Sequence, residues 1–175
     1  MLLRLKRTPG IYLVGFMGSG KSTVGRALAD EIGWTFLDLD EEIERGQGSS
    51  IPEIFEQKGE AGFREIESEL LRERVRLVDR GLPHVMALGG GAFVSDANAA
   101  LLSKSGVTVW LDCPLETIEQ RIAGYQHRPL ARDLDDLRKL YGERRASYSR
   151  ADYRVDAGNG DAQAVVREIL ALDLL

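Results

Sequence analysis

Nine consecutive residues, Gly15-Phe16-Met17-Gly18-Ser19-Gly20-Lys21-Ser22-Thr23, constrain this chain more than any other stretch. They follow a short apolar run, Ile11-Tyr12-Leu13-Val14, and lead into an amphipathic stretch over residues 24–32. The order is strand, glycine-rich loop, helix, with the G-x-x-x-x-G-K-S spacing of a phosphate-binding loop. Each residue type has a physical task there. Glycines let the backbone curl until successive N–H groups point inward at phosphate oxygens. The helix adds its unpaired N-terminal N–H groups and the positive end of its dipole. Gly18, Ser19, Gly20, Lys21, Ser22 and Thr23 are therefore expected to hold a nucleoside triphosphate. Lys21 would reach the β- and γ-phosphates, and the Ser22 hydroxyl would ligate Mg²⁺.

Such a loop belongs to a parallel sheet with crossover helices, and the rest of the chain keeps that alternation. Strands are expected at 11–14, 35–39, 85–88, 107–111 and 153–156, the last with the look of an edge. Helices are expected at 21–32, 95–102, 134–150 and 162–170, with one opened by Pro114. From Ile51 the apolar spacing is helical but interrupted by Gly59 and Gly62, which predicts a short helix, a turn and a long helix over 61–79. Residues 124–130, Gly-Tyr-Gln-His-Arg-Pro-Leu, are basic and poor in helix formers. Five short parallel strands with helices between them make one doubly wound α/β domain.

Composition narrows the partners. A chain of 175 residues buries roughly 70% of its extended surface, enough for a core without staples. The net charge is −5 and no basic block stands out, so nucleic acid is not the default partner. The single cysteine, Cys113, has no intramolecular disulfide partner, which suits a reducing compartment. The first seven residues are too short and too charged for a signal peptide, and nowhere do about 18 apolar residues run together. The expectation is a cytoplasmic protein that contacts no membrane, with monomer as the default state.

In doubly wound folds, ligands sit beyond the carboxyl ends of the strands. The second strand would deliver Asp38 and Asp40, which share parity and lie ~7 Å apart at strand spacing. One could hold the Mg²⁺ shell while the other accepts a proton from a substrate hydroxyl. Either could instead cap the helix that opens at Glu41-Glu42, a role Asp40 alone would satisfy. Asp112, at the end of an apolar run, is equally a rival metal acid or a cap ahead of Pro114. Gly89-Gly90-Gly91 at a strand end suits a ligand lying against bare backbone, or a flexible turn.

Arg64 stands three residues before Glu67, on one helical face, so the carboxylate could hold the guanidinium. Arg128 sits in the glycine-flanked loop and Arg121 near the end of the preceding helix. Arg144 and Arg145, being adjacent, project about 100° apart and rarely share a role. Together these arginines suit an anionic substrate plus a phosphoryl group. His84, His127 and Cys113 lack metal-ligand or nucleophile spacing.

The combined pattern resembles the shikimate kinases, of the nucleoside-monophosphate-kinase-like group of P-loop kinases. The resemblance covers essentially the whole chain. It rests on the phosphate loop, Leu37-Asp38-Leu39-Asp40, Gly62-Phe63-Arg64-Glu65-Ile66-Glu67, Leu88-Gly89-Gly90-Gly91-Ala92, Arg128-Pro129-Leu130, and Arg144 with Tyr148 and Ala151-Asp152. It implies a three-layer, five-stranded parallel sheet with helices on both faces. It also implies a lid at about 123–134 and an acceptor-binding helical segment at about 41–80.

The implied reaction is ATP-dependent phosphorylation of the 3-hydroxyl of shikimate, a step toward chorismate and the aromatic amino acids, with Mg²⁺. By position, Lys21 stabilises the transferring phosphoryl group, Ser22 binds Mg²⁺ and Asp38 holds its water shell. Asp40 contacts the substrate hydroxyls and accepts the proton. Arg64 and Arg144 grip the carboxylate, Glu67 orients Arg64, and Gly89, Gly90 and Gly91 line the pocket. Arg128 reaches the phosphates from the lid, Arg121 flanks the adenine, and Asp112 becomes a cap. Ala131 stands where the family often has leucine, and the 156–160 loop lacks the family's usual basic residues and proline. Spacing to Tyr148 favours Arg144 over Arg145. A kinase of another small polyol acid, such as gluconate, is the alternative. A slow ATP-hydrolysing switch is a third reading, for which no apolar partner surface stands out.

Overall fold

The computed structural model describes residues 9–123 and 134–174. The expected lid, 124–133, with Arg128 and Ala131, lies outside the described residues. In chain order the elements are β1 (Gly10–Val14), α1 (Lys21–Ile32), β2 (Thr35–Asp38), α2 (Leu39–Gln47), α3 (Ile51–Asp79) and β3 (His84–Ala87). A single turn of 3₁₀ helix (Ala92–Val94) precedes α4 (Asp96–Ser105), β4 (Gly106–Asp112) and α5 (Leu115–Ala123). The chain closes with α6 (Leu134–Tyr148), β5 (Tyr153–Asp156) and α7 (Ala162–Leu170). Gly59, at φ 70° and ψ 178°, kinks α3 where the sequence predicts a turn between two helices.

All five strands are parallel and ordered β2-β3-β1-β4-β5. β1 is central, pairing with β3 on one side and β4 on the other, and every one of its residues is buried. That is why its sequence is a continuous apolar run rather than an alternating one. Side-chain alternation then separates the helical layers. The Leu13 side chain lies against Gly25 of α1, whereas the Tyr12 hydroxyl reaches Ser105 of α4 at 2.7 Å. α1 and α7 meet on one face of the sheet, and α3 with α4 lies on the other. This is the three-layer α/β architecture expected. No helix among the described residues is long and apolar enough to cross a membrane.

Two expectations are corrected at strand ends. β2 stops at Asp38, not at residue 39, because the Asp38 carboxylate accepts hydrogen bonds from the N–H groups of Asp40 and Glu41 and so starts α2. Asp40 is therefore a first-turn helical residue and does not share strand parity with Asp38. Among the described residues the Asp112 side chain caps no helix and is taken up by arginines instead. Its carboxylate accepts from Arg145 Nη1 at 2.6 Å and Arg154 Nε at 2.7 Å, and both guanidinium groups lie over the Trp110 ring. That cluster ties α6 and β5 to the end of β4.

His84 sits at the opposite end of the sheet from the phosphate loop, buried beside Tyr12. Its Nδ1 faces the Leu82 carbonyl at 3.4 Å, and Nε2 meets no partner among the described residues. Burial holds its pKa below the usual 6.5, against the Leu82 hydrogen bond and with help from Arg74. The linkage follows: above about pH 6.5 the ring is neutral folded or unfolded, and its contribution is complete. As pH falls below that value toward the lower folded-state value, only the unfolded chain takes up a proton, and stability is lost. Urea unfolding of the wild type and His84→Gln at pH 7.5 and 5.5 is expected to show a larger acid loss in the wild type. Equal losses would remove His84 as a source of acid sensitivity.

Candidate active site

The phosphate loop turns from the end of β1 into α1 through Gly18 at φ 76° and Gly20 at φ 94°, left-handed positions that strain any other residue. Helices α2, α3, α4 and α7 open on side-chain caps from Asp38, Ser50, Ser95 and Asp161. α1 opens on Gly20 with none. The first N–H groups of a helix have no carbonyl partner within it, and a helix opened by glycine rather than by a side-chain cap suits an anion at that end. Lys21 Nζ folds back over the loop and donates to the carbonyls of Gly15 at 2.8 Å and Phe16 at 2.9 Å. Arg121 Nη1 donates to the Gly18 carbonyl at 2.8 Å, so it braces the loop from α5.

Asp38 and Ser22 meet beside this loop. Phe36 packs on Gly25 of α1, and Asp38, two residues on, points to the same face. Its Oδ2 accepts from Ser22 Oγ while Oδ1 caps α2. A hydroxyl and a carboxylate are hard oxygen donors, and this pair fits a magnesium shell completed by phosphate and water.

The triple glycine follows β3. The Leu88 N–H donates to the Leu13 carbonyl at 3.1 Å, which extends the β1–β3 pairing and sets Gly89 next to the phosphate loop. None of the three glycines adopts positive φ, so a turn is not why they are glycine. Space is. A β-carbon on Gly89 would stand 2.7 Å from Asp40 Oδ1 and 3.2 Å from Glu67 Oε2. One on Gly90 would stand 3.0 Å from Arg144 Nη1 and 3.7 Å from the Met17 backbone nitrogen. One on Gly91 would stand 2.6 Å from Arg64 Cζ. Bare backbone is thus faced by two cations and two acids from three different helices.

Those charges are arranged rather than scattered. Arg64 Nη1 donates to Glu67 Oε1 at 2.8 Å, and the Glu67 side chain is 1% exposed. Glu67 Oε2 has no hydrogen-bond partner among the described residues. Burial pushes the Glu67 carboxyl above its usual range; Arg64 pulls it down, Asp40 pushes it up and Arg144 opposes Asp40. On α6 the buried positions are Leu137, Arg144 and Tyr148, one stripe of the helix. Arg144 is accordingly 8% exposed and lies over the Phe16 ring, while Arg145 turns away to Asp112. The doublet is resolved by rotation: one arginine faces the glycines, the other the β4–β5 edge.

Behind the glycines, Arg150 holds the 3₁₀ turn. It donates to the Phe93 carbonyl at 2.7 Å and to Asp96 Oδ1 at 2.5 Å. Burial pushes the Cys113 thiol up, the opposite of what an activated nucleophile needs. Of the residues expected at the site, the structure brings Lys21, Ser22, Asp38 and Arg121 together at the phosphate loop and Asp40, Arg64 and Arg144 together at Gly89, Gly90 and Gly91, with Gly90 beside Met17 joining the two groups. Phe16, Met17 and the Tyr148 hydroxyl were not singled out as site groups. Phe16 and Met17 occupy variable positions of the loop motif and left no signal; Tyr148 is four residues from Arg144, on its helical face.

The chain is similar to known proteins over most of its length. A family model described as shikimate kinase matches residues 17–173. A shikimate kinase from Persephonella marina is 41% identical over 161 residues, covering 91% of this chain and 96% of the relative. A solved shikimate kinase from Acinetobacter baumannii, in complex with shikimate, superposes with a TM-score of 0.86 at 41% identity, over 93% of this chain and 91% of that one. A gluconokinase from Sinorhizobium meliloti shares the fold at a TM-score of 0.58 but only 21% identity, over 95% of this chain and 92% of its own.

Proposed function

The chain belongs to the shikimate kinase family, and we propose that it transfers the terminal phosphoryl group of ATP to the 3-hydroxyl of shikimate, giving shikimate 3-phosphate and ADP. One observation carries this: Arg64, Arg144 and Asp40 converge on the bare backbone of residues 89–91, which adjoins the phosphate loop at Met17. Two guanidinium groups suit a carboxylate, and a carboxylate beside them suits a hydroxyl. The likeness to the gluconokinase is one of fold alone and does not favour a gluconate substrate.

In this reading Gly18 to Thr23 hold the triphosphate, and Lys21 exchanges its two carbonyl partners for phosphate oxygens as charge moves onto the transferring group. Ser22 and Asp38 hold Mg²⁺, which when bound offsets the negative charge of the phosphates. Asp40 orients the acceptor hydroxyl and takes its proton. Arg64, steadied by Glu67, and Arg144 fix the substrate carboxylate. Arg121 braces the loop near the base. Arg128 and the lid at about 123–134 close over the phosphates, a role drawn from the family resemblance. Residues 41–80 supply the acceptor-binding helices of a single domain. A cytoplasmic monomer is the simplest setting; the lone buried cysteine suits a reducing compartment.

A coupled assay of ADP release with Mg²⁺ and ATP tests the reading, run with shikimate, gluconate or nucleoside monophosphates. Only shikimate is expected to raise the rate well above background; no rise with shikimate would sink it. A paired substitution tests the two arginines. Arg144→Ala is expected to raise the KM for shikimate by at least about thirtyfold, the cost of one charged contact at ~2 kcal/mol. Arg145→Ala instead breaks the Asp112 cluster and is expected to lower the unfolding midpoint while the KM changes by less than about threefold. The reverse pattern would exchange their roles.

A further inference from the structure

Tyr148 stands at the end of α6, and its hydroxyl occupies the junction between the triple glycine and Arg144. The side chain is 2% exposed, with its ring 6.1 Å from that of Trp110. The hydroxyl donates to the Gly90 carbonyl at 2.5 Å. It also lies close to the Arg144 side chain: a β-carbon on Gly90 would stand 3.6 Å from the Tyr148 hydroxyl and 3.0 Å from Arg144 Nη1. A guanidinium only donates and a phenol has one proton; with that proton on Gly90, the face the phenol oxygen presents to Arg144 is a lone pair. One oxygen therefore anchors a pocket-lining carbonyl at the place where a pocket-lining cation approaches it.

The choice of partner matters. Arg64 is held by a carboxylate, Glu67. A second carboxylate on Arg144 would compete with the carboxylate of an incoming substrate, because both want the same charge-assisted geometry. A phenol orients the fork without offsetting its charge. An arginine side chain also carries about 2 kcal/mol of rotamer entropy, which a fixed partner removes before the substrate arrives. Burial pushes the phenol to about 12, against the pull of Arg144 and Arg64, so it remains a proton donor across any working pH.

We propose that Tyr148 is a positioning residue for substrate affinity, holding the Arg144 guanidinium against the Gly90 backbone in the orientation that meets the substrate carboxylate. The proposal rests on the shikimate-phosphorylating reading of the site.

Tyr148→Phe removes the hydroxyl and keeps the ring against Trp110. The KM for shikimate is expected to rise about tenfold, the scale of one hydrogen bond to a charged group. Turnover should stay within about threefold and the KM for ATP within about twofold, since neither depends on Arg144 orientation. If the phenol acts through Arg144, the same change on an Arg144→Ala background should raise the KM for shikimate by less than about threefold more. The proposal is overturned by an unchanged KM for shikimate in the single variant, even with a lowered unfolding midpoint, which would mark a purely structural tyrosine. It is equally overturned by a tenfold loss that persists undiminished on the Arg144→Ala background. A wild-type protein that ignores shikimate would instead remove the underlying reading, before any variant is measured.

Discussion

Replacing Lys21 with methionine is expected to lower kcat by at least about 10²–10³-fold while the protein remains folded. The side chain is one of the few positive groups placed to follow charge onto the transferring phosphoryl group, and methionine keeps its length and apolar stem without the ammonium. Losing one such preorganised donor costs roughly 3–4 kcal/mol of transition-state stabilisation. The stability cost is smaller. Nζ donates to the carbonyls of Gly15 and Phe16, at 2.8 and 2.9 Å, in a partly exposed loop. Two such bonds contribute about 1–3 kcal/mol net, so the unfolding midpoint should fall by no more than about 10 °C. Steady-state assays and thermal unfolding of the same preparation separate the two effects. A kcat within tenfold of wild type would mean that Lys21 does not act on the transferring group.

Arg64→Ala has the second large effect, and a composite one. Loss of a charged contact to the substrate carboxylate should raise the KM for shikimate by about 30- to 1,000-fold, ~2–4 kcal/mol, with the KM for ATP little changed. The same change strands Glu67, a 1%-exposed carboxylate whose Oε1 loses its 2.8 Å partner and whose Oε2 has none among the described residues. Leaving a buried charge unpaired is destabilising by several kcal/mol. Arg64→Ala combined with Glu67→Gln should therefore recover most of the lost stability and none of the lost affinity. The pH sign agrees. Burial already raises the folded-state pKa of Glu67 above its ordinary 4.5, so the folded state loses stability as pH rises through the raised value. Without Arg64 that loss deepens at neutral pH and vanishes below about 4.5. Normal shikimate affinity in the single variant would take Arg64 out of the site.

Much of the site was legible because its signals are local. The strand–loop–helix at residues 11–32 is a contiguous motif whose glycines, lysine and serine each have one physical use. The helix at Ala162–Leu170 and the strand at Tyr153–Asp156 were both legible from local pattern, although the strand completes its hydrogen bonds only on the distant β4. The kink at Gly59 was announced by the glycine itself. The end of β2 was misplaced for a competing local reason. A carboxylate at Asp38 offers the next N–H groups a partner, and that cap ended the strand one residue early and carried Asp40 onto a helix. The run of acids at Asp40-Glu41-Glu42 was the available clue. Asp112 misled because an apolar run ending in aspartate looks the same whether its carboxylate meets a metal or two arginines brought from other elements.

By itself, then, the order of residues determined the chemistry on offer: a phosphate cradle, acids after one strand, a glycine run after another, and a set of arginines. Each is encoded by neighbours within a few positions. Only the tertiary structure decided how these meet. The order β2-β3-β1-β4-β5 places the strand ending in three glycines directly beside the strand ending in the phosphate loop, although about 70 residues separate them. Rotation of α6 turns Arg144 inward and Arg145 outward, because Leu137 and Tyr148 share the buried stripe with Arg144 while Asp112 and Trp110 wait for Arg145. Strand neighbours and helix rotation are set by which apolar faces bury together across the whole molecule, and no local pattern carries that information.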